Sequence, residues 1–555
     1  MKFLLFLGLI SRLLYLQYFG CMHFKTLAHN NHIHTHLIPN ERGMITDSKG
    51  NILADNISTY KGFVMAYDKK EFDSIIESIN RIIPIHEAPI YKRRTYVLVY
   101  PHLTWEEMAR LETADIKGLK IDSTFKRYYE NSHFSSVLGY VSVARETDPL
   151  NIPGLYVGRG IGLERSYNNN LEGEYCCVQD EVDVYGRFVR ILNKASGVKG
   201  HDLKTTLSVP LQNFICNYLK SRSEIKSAAI IVMDAYTGAI RSLVSYPLFD
   251  PNSFVSKISA KEWQSLQDNP FKPLYNKVLQ GVYSPGSIFK LVVLLTALEK
   301  GVTIPDVFCK GYIERKGRKR YCASWRRGGH GVVNMEKALS HSCDIYFYEL
   351  TKHISLYDIM KTATRLGYGD ITGLDIHGEK KGKMLSFFEC LKEDPCHAFI
   401  GQGKLLVTPL QMTVMMASLV SGYRVTPHLL ATKNPKRYAL GIDQEHLKKL
   451  QEQMLGVVKV GTGKSAFFYT ESKDVGLAGK TGTTQVCTIL QKEREQGQIN
   501  RHHFLKDHAI FSGFGPVSHP RYIITTIIEH GGSGAFAARV AKDIMQFALS
   551  KENLS

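Results

Sequence analysis

The sequence predicts an α+β domain that lies behind a mixed, turn-rich region and an N-terminal apolar helix. Three observations carry that expectation. The apolar runs Ala228 to Met233 and Ile240 to Val244 flank Asp234 and Thr237-Gly238, which reads as a hairpin of buried strands. The strongly apolar segment Ile288 to Leu298 reads as a buried helix, and Tyr522 to Glu529 (YIITTIIE) as a further buried strand. Ala535 to Ser550 closes the pattern as an amphipathic helix, so that helices sit between a front hairpin and rear strands.

At the N-terminus, Phe3 to Phe19 is a nearly continuous apolar run preceded by Lys2 and broken by Arg12. A membrane span needs roughly 20 apolar residues, so the run is short for one. Residues 3–19 are read as a membrane anchor; a cleaved signal peptide and a soluble helix are the alternatives. An anchor whose first half lies outside this sequence accounts for both the shortness and Arg12. No similar run follows, which puts any membrane attachment at the N-terminus.

Residues 30–205 form the mixed region. A polar, His-rich stretch leads to Arg42-Gly43-Met44-Ile45-Thr46-Asp47, and the Gly turn in Asp-Ser-Lys-Gly-Asn predicts a hairpin there. Helices are expected over Glu71 to Ile83 and Thr104 to Thr113, with a strand over Thr95 to Tyr100 between them. Short strands are expected over Tyr175 to Val184 and Gly186 to Leu192, with Cys176 and Cys177 packed in this region rather than bridged to each other. The texture changes near Gly200, and residues 206–552 read as the second domain. Leu203 to Leu207 reads as a strand, and Pro210 to Ile225 as a helix opened by proline.

Composition narrows the function classes. The chain has 555 residues, 44% hydrophobic and 22% charged, which is ordinary for about two to four globular domains. Its net charge of +18 favours anionic surroundings such as phospholipid or an acidic cell-wall polymer. The basic residues are scattered, apart from short clusters at 315–320 and 326–327, and no nucleic-acid fold signature accompanies them. Ten cysteines are too few for a disulfide scaffold at this length. Gly461-Thr-Gly-Lys-Ser465 lacks the first glycine of a phosphate loop, which argues against nucleotide binding. His502 and His503 read as solvated loop residues.

The chemistry is carried by three short motifs. Ser287 and Lys290 stand three apart at the start of the apolar helix, which brings them to one face. A lysine amine in reach of a serine hydroxyl takes its proton when burial and neighbouring cations disfavour the ammonium form. The helix N-terminus also offers free N–H groups to a developing oxyanion. Taken alone, this pair is a weak signal and reads first as a Pro-Gly turn capping a helix. Ser342-Cys343-Asp344 follows 55 residues after Ser287, and Ala478-Gly-Lys480-Thr481-Gly482-Thr483-Thr484 places Lys480 193 residues after it. The ordered set Ser-x-x-Lys, Ser-x-Asp, Lys-Thr-Gly is far more specific than any one part. A strand-borne Lys480 and Thr481 suit a substrate carboxylate, and Gly482 suits close approach of the substrate backbone.

On these motifs the chain resembles the class B penicillin-binding proteins, the monofunctional D,D-transpeptidases, and within them the elongation type. Further stretches carry the resemblance: Leu13-Leu14-Tyr15-Leu16-Gln17, Arg42-Gly43-x-Ile45-x-Asp47, Gly162-Leu163-Glu164 and Val184-Tyr-Gly-Arg187. So do Met233-Asp234-x-x-Thr237-Gly238, Ser245-Tyr246-Pro247, Gly401-Gln402-Gly403, Thr408-Pro409-Leu410-Gln411 and His508-Ala509-x-Phe511. Many members have Asn where Asp344 stands, and Asp is the elongation-type variant.

The resemblance implies a pedestal of the dimerisation type over 30–205. It also implies a transpeptidase domain over 206–552, built on a five-stranded sheet flanked by helices. It implies that Ser287 attacks the penultimate D-Ala of a peptidoglycan stem peptide ending in D-Ala-D-Ala. Lys290 is the implied base, Ser342 passes the proton to the leaving D-Ala, and Asp344 positions Lys290 or binds the substrate amide. Lys480, Thr481 and Thr483 are implied to hold the terminal carboxylate, and the Ser287 and Thr483 N–H groups to form the oxyanion hole. β-Lactams would acylate Ser287 and stall there. The implied setting is the bacterial inner membrane, with a periplasmic catalytic domain, a SEDS-family membrane glycosyltransferase and elongation-complex scaffolds as partners. A D,D-carboxypeptidase side activity, a division-type transpeptidase and a non-catalytic β-lactam sensor or scaffold are the other implied functions.

No cofactor is needed for that chemistry, but Cys309, Cys322, His330 and Cys343 form a second constellation, at intervals of 13, 8 and 13 residues. Cysteine and histidine are the usual ligands of a structural Zn2+. The spacing lacks a short Cys-x-x-Cys knuckle, so separate buried thiols and a Cys309–Cys322 disulfide stand beside the zinc reading. Some elongation-type members have zinc beside the active site with a ligand inside the middle motif, where Cys343 stands.

Overall fold

The computed structural model describes residues 2–550 apart from 19–20, 23–24, 27–31, 86–88, 93–95, 146, 151, 153, 184–187, 257, 316, 432–435 and 487–502. Phe19, Thr95, Val184 to Arg187 and His502, named above, lie outside the described residues; His503 begins the short 3-10 turn His503–Leu505. The apolar run folds as the helix Lys2–Tyr18, 17 residues long, with Phe3, Phe6, Leu9 and Leu13 exposed. Among the described residues no helix is long and apolar enough to cross a membrane.

The expected pedestal hairpin forms. Strand Ile45–Thr46 pairs antiparallel with Ile52–Val64, and Asp47 closes the turn by accepting the N–H groups of Lys49 and Asn51, each at 2.8 Å. Ile52–Val64 in turn pairs with Val97–Leu103 and Leu119–Tyr129. Helices Lys69–Ile82 and Trp105–Thr113 start at the side-chain caps Asp68 and Thr104 and bury Phe72, Ile75, Ile79, Met108 and Leu111 in a small core of their own. A separate three-stranded sheet sets Cys176–Val182 between Ile33–Ile38 and Phe188–Ala195.

Several boundaries shift by a few residues, as where the strand expected over 186–192 runs Phe188–Ala195, and two of the shifts have a visible cause. The strand expected over 203–207 is only Leu203–Lys204, because Thr206 N–H turns to donate to Leu429 O, more than 200 residues on in the second domain. The helix expected to reach Ile225 is Val209–Ser221: Arg222 leaves helical geometry, and the turn it makes drops Ile225 into the core.

The second domain is built on five antiparallel strands in the spatial order Ile240–Tyr246, Ala228–Asp234, Tyr522–Ile528, His508–Gly515, Ala478–Thr484. Ile230, Val232 and Ile524 pack on one face with helices Val209–Ser221 and Gly534–Ser550. Ala229, Ile231 and Ile523 pack on the other with helices Lys290–Glu299 and Pro409–Ser421. Cover on both faces explains why these strands read as continuous apolar runs instead of alternating ones. Pro409–Ser421 is buried at every residue; a Thr408–Gln411 capping box starts it and left-handed Gly422 stops it. The strand Ala478–Thr484 is left at the sheet edge, facing the start of helix Lys290–Glu299.

Candidate active site

Ser287 sits in a single 3-10 turn, Gly286–Ile288, which runs into helix Lys290–Glu299. Buried Ile288 and Phe289 anchor that turn in the core, and Lys290 is fully buried beneath it. The middle motif forms the break between helices Met335–Ser340 and Asp344–Leu350. At that break Ser342 adopts φ 56°, a left-handed backbone that a non-glycine residue seldom takes. Its N–H bonds Leu339 O at 3.2 Å and the Cys343 N–H bonds Ala338 O at 2.9 Å, which holds the kink.

That kink puts Ser342 at the centre of the site. Ser342 Oγ donates to Ser287 Oγ at 2.8 Å and accepts from Lys290 Nζ at 3.1 Å. Lys290 Nζ also donates to Ser342 O at 2.9 Å and to Asp344 Oδ1 at 2.7 Å. The link from Lys290 to Ser287 therefore runs through Ser342, where the sequence suggested a direct pair. Asp344 Oδ2 accepts the Ala323 N–H at 3.1 Å. Burial pushes the Asp344 carboxyl above the usual carboxylate range; Lys290 pulls it back in part, and Cys322 adds to the rise.

Lys480 and Thr481 lie on the edge strand, buried to 0% and 6% exposure. Lys480 Nζ donates to Thr481 O at 3.1 Å. Burial, and then the charge of Lys290, hold Lys480 well below the ordinary lysine value, with Asp344 partly offsetting them. Thr483 Oγ1 accepts the Gly534 N–H at 3.3 Å. Gly482 also lies against the nucleophile turn. A Cβ there would lie 3.2 Å from Ile288 Cγ1 and 3.3 Å from Pro285 O, so the turn carrying Ser287 comes close.

The structure adds a residue that no motif flagged. Thr462 Oγ1 lies 2.6 Å from Thr481 Oγ1, and its N–H donates to Ser340 O at 3.0 Å. Gly461 makes this possible, since a Cβ there would meet Ser340 O at 2.0 Å. The false phosphate loop thus bridges the end of helix Met335–Ser340, just before the middle motif, and the edge strand. The signal was the paired glycines around Thr462, legible only once a packing partner is known.

The second constellation also converges. The ligand atoms of Cys309, Cys322, His330 and Cys343 all lie within 4.8 Å of one another, and the three thiols are buried. His330 Nδ1 is 3.7 Å from Cys309 Sγ, 3.5 Å from Cys322 Sγ and 3.0 Å from Ser324 Oγ. All three thiols are free, so the disulfide alternative is not realised. A hydrogen bond from Cys343 pulls the Cys322 thiol well below the usual thiol range against the cost of burial, with His330 and Ser324 helping. A tetrahedral Zn site with bonds of about 2.3 Å has ligand–ligand edges of about 3.8 Å, and this donor set fits such a cage.

Comparison with known proteins agrees with this layout. Residues 228–546 match the model of the penicillin binding protein transpeptidase domain, and residues 37–205 that of the penicillin-binding protein dimerisation domain. The peptidoglycan D,D-transpeptidase MrdA of Acinetobacter baumannii is 32% identical, over 98% of this chain and 85% of its own length. MrdA of Escherichia coli K12 is 29% identical, over 98% of this chain and 92% of its own. Among solved structures, the complex between penicillin-binding protein PBP2 and MreC from Helicobacter pylori superposes with a TM-score of 0.81. Its identity is 28%, and the match covers 95% of this chain and 100% of that one.

Proposed function

This chain belongs to the class B penicillin-binding proteins, with a dimerisation and a transpeptidase domain, and from that premise we propose how its residues perform the reaction. The activity is that of a serine-type peptidoglycan D,D-transpeptidase of the elongation type. The observation that carries the mechanism is the hydrogen-bonded series Ser287–Ser342–Lys290–Asp344.

Ser287 Oγ attacks the carbonyl carbon of the penultimate D-Ala. For this the two hydroxyls reverse their hydrogen bonds, so that the Ser287 proton moves to Ser342 as the Ser342 proton moves to Lys290, which acts as the base in its amine form. The neighbouring cation Lys480 is held well below the ordinary lysine value, by burial first and then by the charge of Lys290. Lys480, Thr481 and Thr483 hold the terminal carboxylate, and the N–H groups of Ser287 and Thr483 stabilise the oxyanion. Collapse of the tetrahedral adduct breaks the C–N bond. The proton returns through Ser342 to the departing D-Ala, leaving an ester on Ser287. The amine of a second stem peptide then attacks that ester, forms the cross-link and frees Ser287; water in its place gives the carboxypeptidase product. A β-lactam, strained at the same carbonyl, would remain on Ser287.

Around this core, Cys309, Cys322, His330 and Cys343 would hold a structural Zn2+ that fixes Cys343, next to Asp344, and Cys322, next to the Ala323 N–H that Asp344 accepts, without entering the reaction. The exposed apolar helix Lys2–Tyr18 supports attachment to the inner membrane, with the catalytic domain in the periplasm. The pedestal then faces a SEDS-family glycosyltransferase and elongation scaffolds; the similar Helicobacter protein was solved with MreC, which supports a scaffold partner.

The test is a cross-linking assay on nascent peptidoglycan, scored by D-Ala release and cross-linked muropeptides. Wild type gives both and Ser287→Ala neither; cross-linking that survives the substitution overturns the reading. Metal analysis of the purified chain should find about one zinc per molecule, lost in Cys343→Ser, and a metal-free wild type would end the zinc proposal.

A further inference from the structure

The two donors of the proposed oxyanion hole come from different elements: Ser287 from the 3-10 turn and Thr483 from the edge strand. Strand pairing ties Thr483 to Ala509 on the far side, but no ladder joins the strand to the turn. Their separation must be set by something else, because an oxyanion hole works only when both N–H groups sit about 3 Å from one oxygen.

The Gly401-Gln402-Gly403 segment, to which the mechanism gives no role, touches both. Gly286 N–H donates to Gly401 O at 2.9 Å. Gly401 has φ 69°, and a Cβ on it would lie 2.1 Å from Gly286 O, so the backbones meet without room for a side chain. One residue on, Gln402 Nε2 donates to Thr483 O at 3.1 Å. The N–H and C=O of one strand residue point to the same edge, so the amide of Gln402 lies beside the Thr483 N–H. Thr484 adds a second staple, its Oγ1 donating to Ser284 O.

We infer that Gln402 is a positioning residue for the acylation step: with Gly401 it clamps the nucleophile turn to the edge strand and so sets the spacing of the two oxyanion donors. The inference rests on the transpeptidase reading, and it assigns Gln402 no contact with the reacting atoms.

The test is stopped-flow acylation by a chromogenic β-lactam, which separates the rate constant of acylation from the dissociation constant of the preceding complex. Gln402→Met keeps the length of the side chain and removes the donor. It should lower the acylation rate constant about tenfold, less than loss of an oxyanion donor itself, while the dissociation constant stays within about twofold. Gln402→Glu supplies a readout that a purely structural role would not move. As a carboxylate it opposes Thr483 O; as a carboxylic acid it regains a donor. The ratio of the Gln402→Glu rate to the Gln402→Met rate should therefore rise as pH falls from about 8 to about 5. Wild-type rates in Gln402→Met, a loss confined to binding, or a pH-independent ratio each overturn the clamp. A wild type that fails to acylate at all takes down the transpeptidase reading and the clamp with it.

Discussion

Two buried clusters in this chain hold two cations against one carboxylate, one in the pedestal and one in the catalytic domain. In the pedestal Glu164 accepts Arg42 Nε at 2.7 Å, Arg127 Nε at 2.8 Å and Tyr129 Oη at 3.2 Å. The guanidinium groups reach on to Glu164 O, Asn168 and Gly43. Burial would raise the Glu164 carboxyl, yet Arg127 and Arg42 together hold it below its usual range. In the catalytic domain Lys290 and Lys480 face Asp344, and the outcome reverses: burial wins and the carboxyl rises. The difference lies in the cations. Arginine is always charged and spreads fixed donors over several acceptors, so its cluster behaves as a clamp. Lysine is a point charge that gives up its proton when desolvated, so its cluster can do acid–base chemistry. Motif residues Arg42 and Glu164 thus meet in space to hold the pedestal, while Ser287, Lys290 and Ser342 meet to react.

The sharpest way to break this contrast is to exchange its consequences. Lys290→Met should lower β-lactam acylation about 10³-fold in a chain that still folds, as read by fluorescent penicillin labelling against a thermal melt. Near-normal labelling would remove Lys290 from the chemistry. Glu164→Ala should do the opposite. It leaves two buried guanidinium groups unpaired and should cost about 3–5 kcal/mol in denaturant unfolding, with acylation of the folded fraction unchanged. If acylation drops with stability intact, the pedestal cluster is not a clamp.

The pH dependence carries a sign. The Glu164 carboxyl is depressed in the folded state, so its stabilisation is present above the unfolded value of 4.5 and is lost as pH falls through the lower folded value. The stability gap between wild type and Glu164→Gln should therefore be widest above about pH 4.5 and narrow in acid, which unfolding curves over that range check. A gap that widens in acid contradicts the assignment. The smallest expected effect is at the rim. Thr462→Val removes the hydroxyl partner of Thr481 and should weaken β-lactam capture about fivefold, mainly in the pre-acylation complex, with Thr462→Ser close to wild type.

Much of this was legible in the sequence because its signals are local. Continuous apolar runs mark strands covered on both faces, as at Ala228–Asp234, and the helix expected from Thr104 does start at that cap. The three motifs announce the site because each is a short segment with a specific residue order. What stayed hidden depends on segments far apart in the chain. The left-handed backbone of Ser342, which puts its hydroxyl between Ser287 and Lys290, has no marker, since no glycine stands there. Gly482 was read as room for substrate, and its closeness to the nucleophile turn shows only once the strand and the turn are folded together. Thr462 sat in what resembled a poor phosphate loop, and its meaning needs Ser340 and Thr481 beside it. Thr206 and Ile225 left their expected elements because a neighbouring segment or core claimed them.

The most direct test of the central claim is to acylate the purified chain with a labelled penicillin and map the adduct by mass spectrometry of its peptides. The account predicts one adduct, on Ser287, absent in Ser287→Ala and strongly slowed in Ser342→Ala, because Ser342 bridges Ser287 and Lys290. An adduct on any other residue, or labelling that persists in Ser287→Ala, would contradict it.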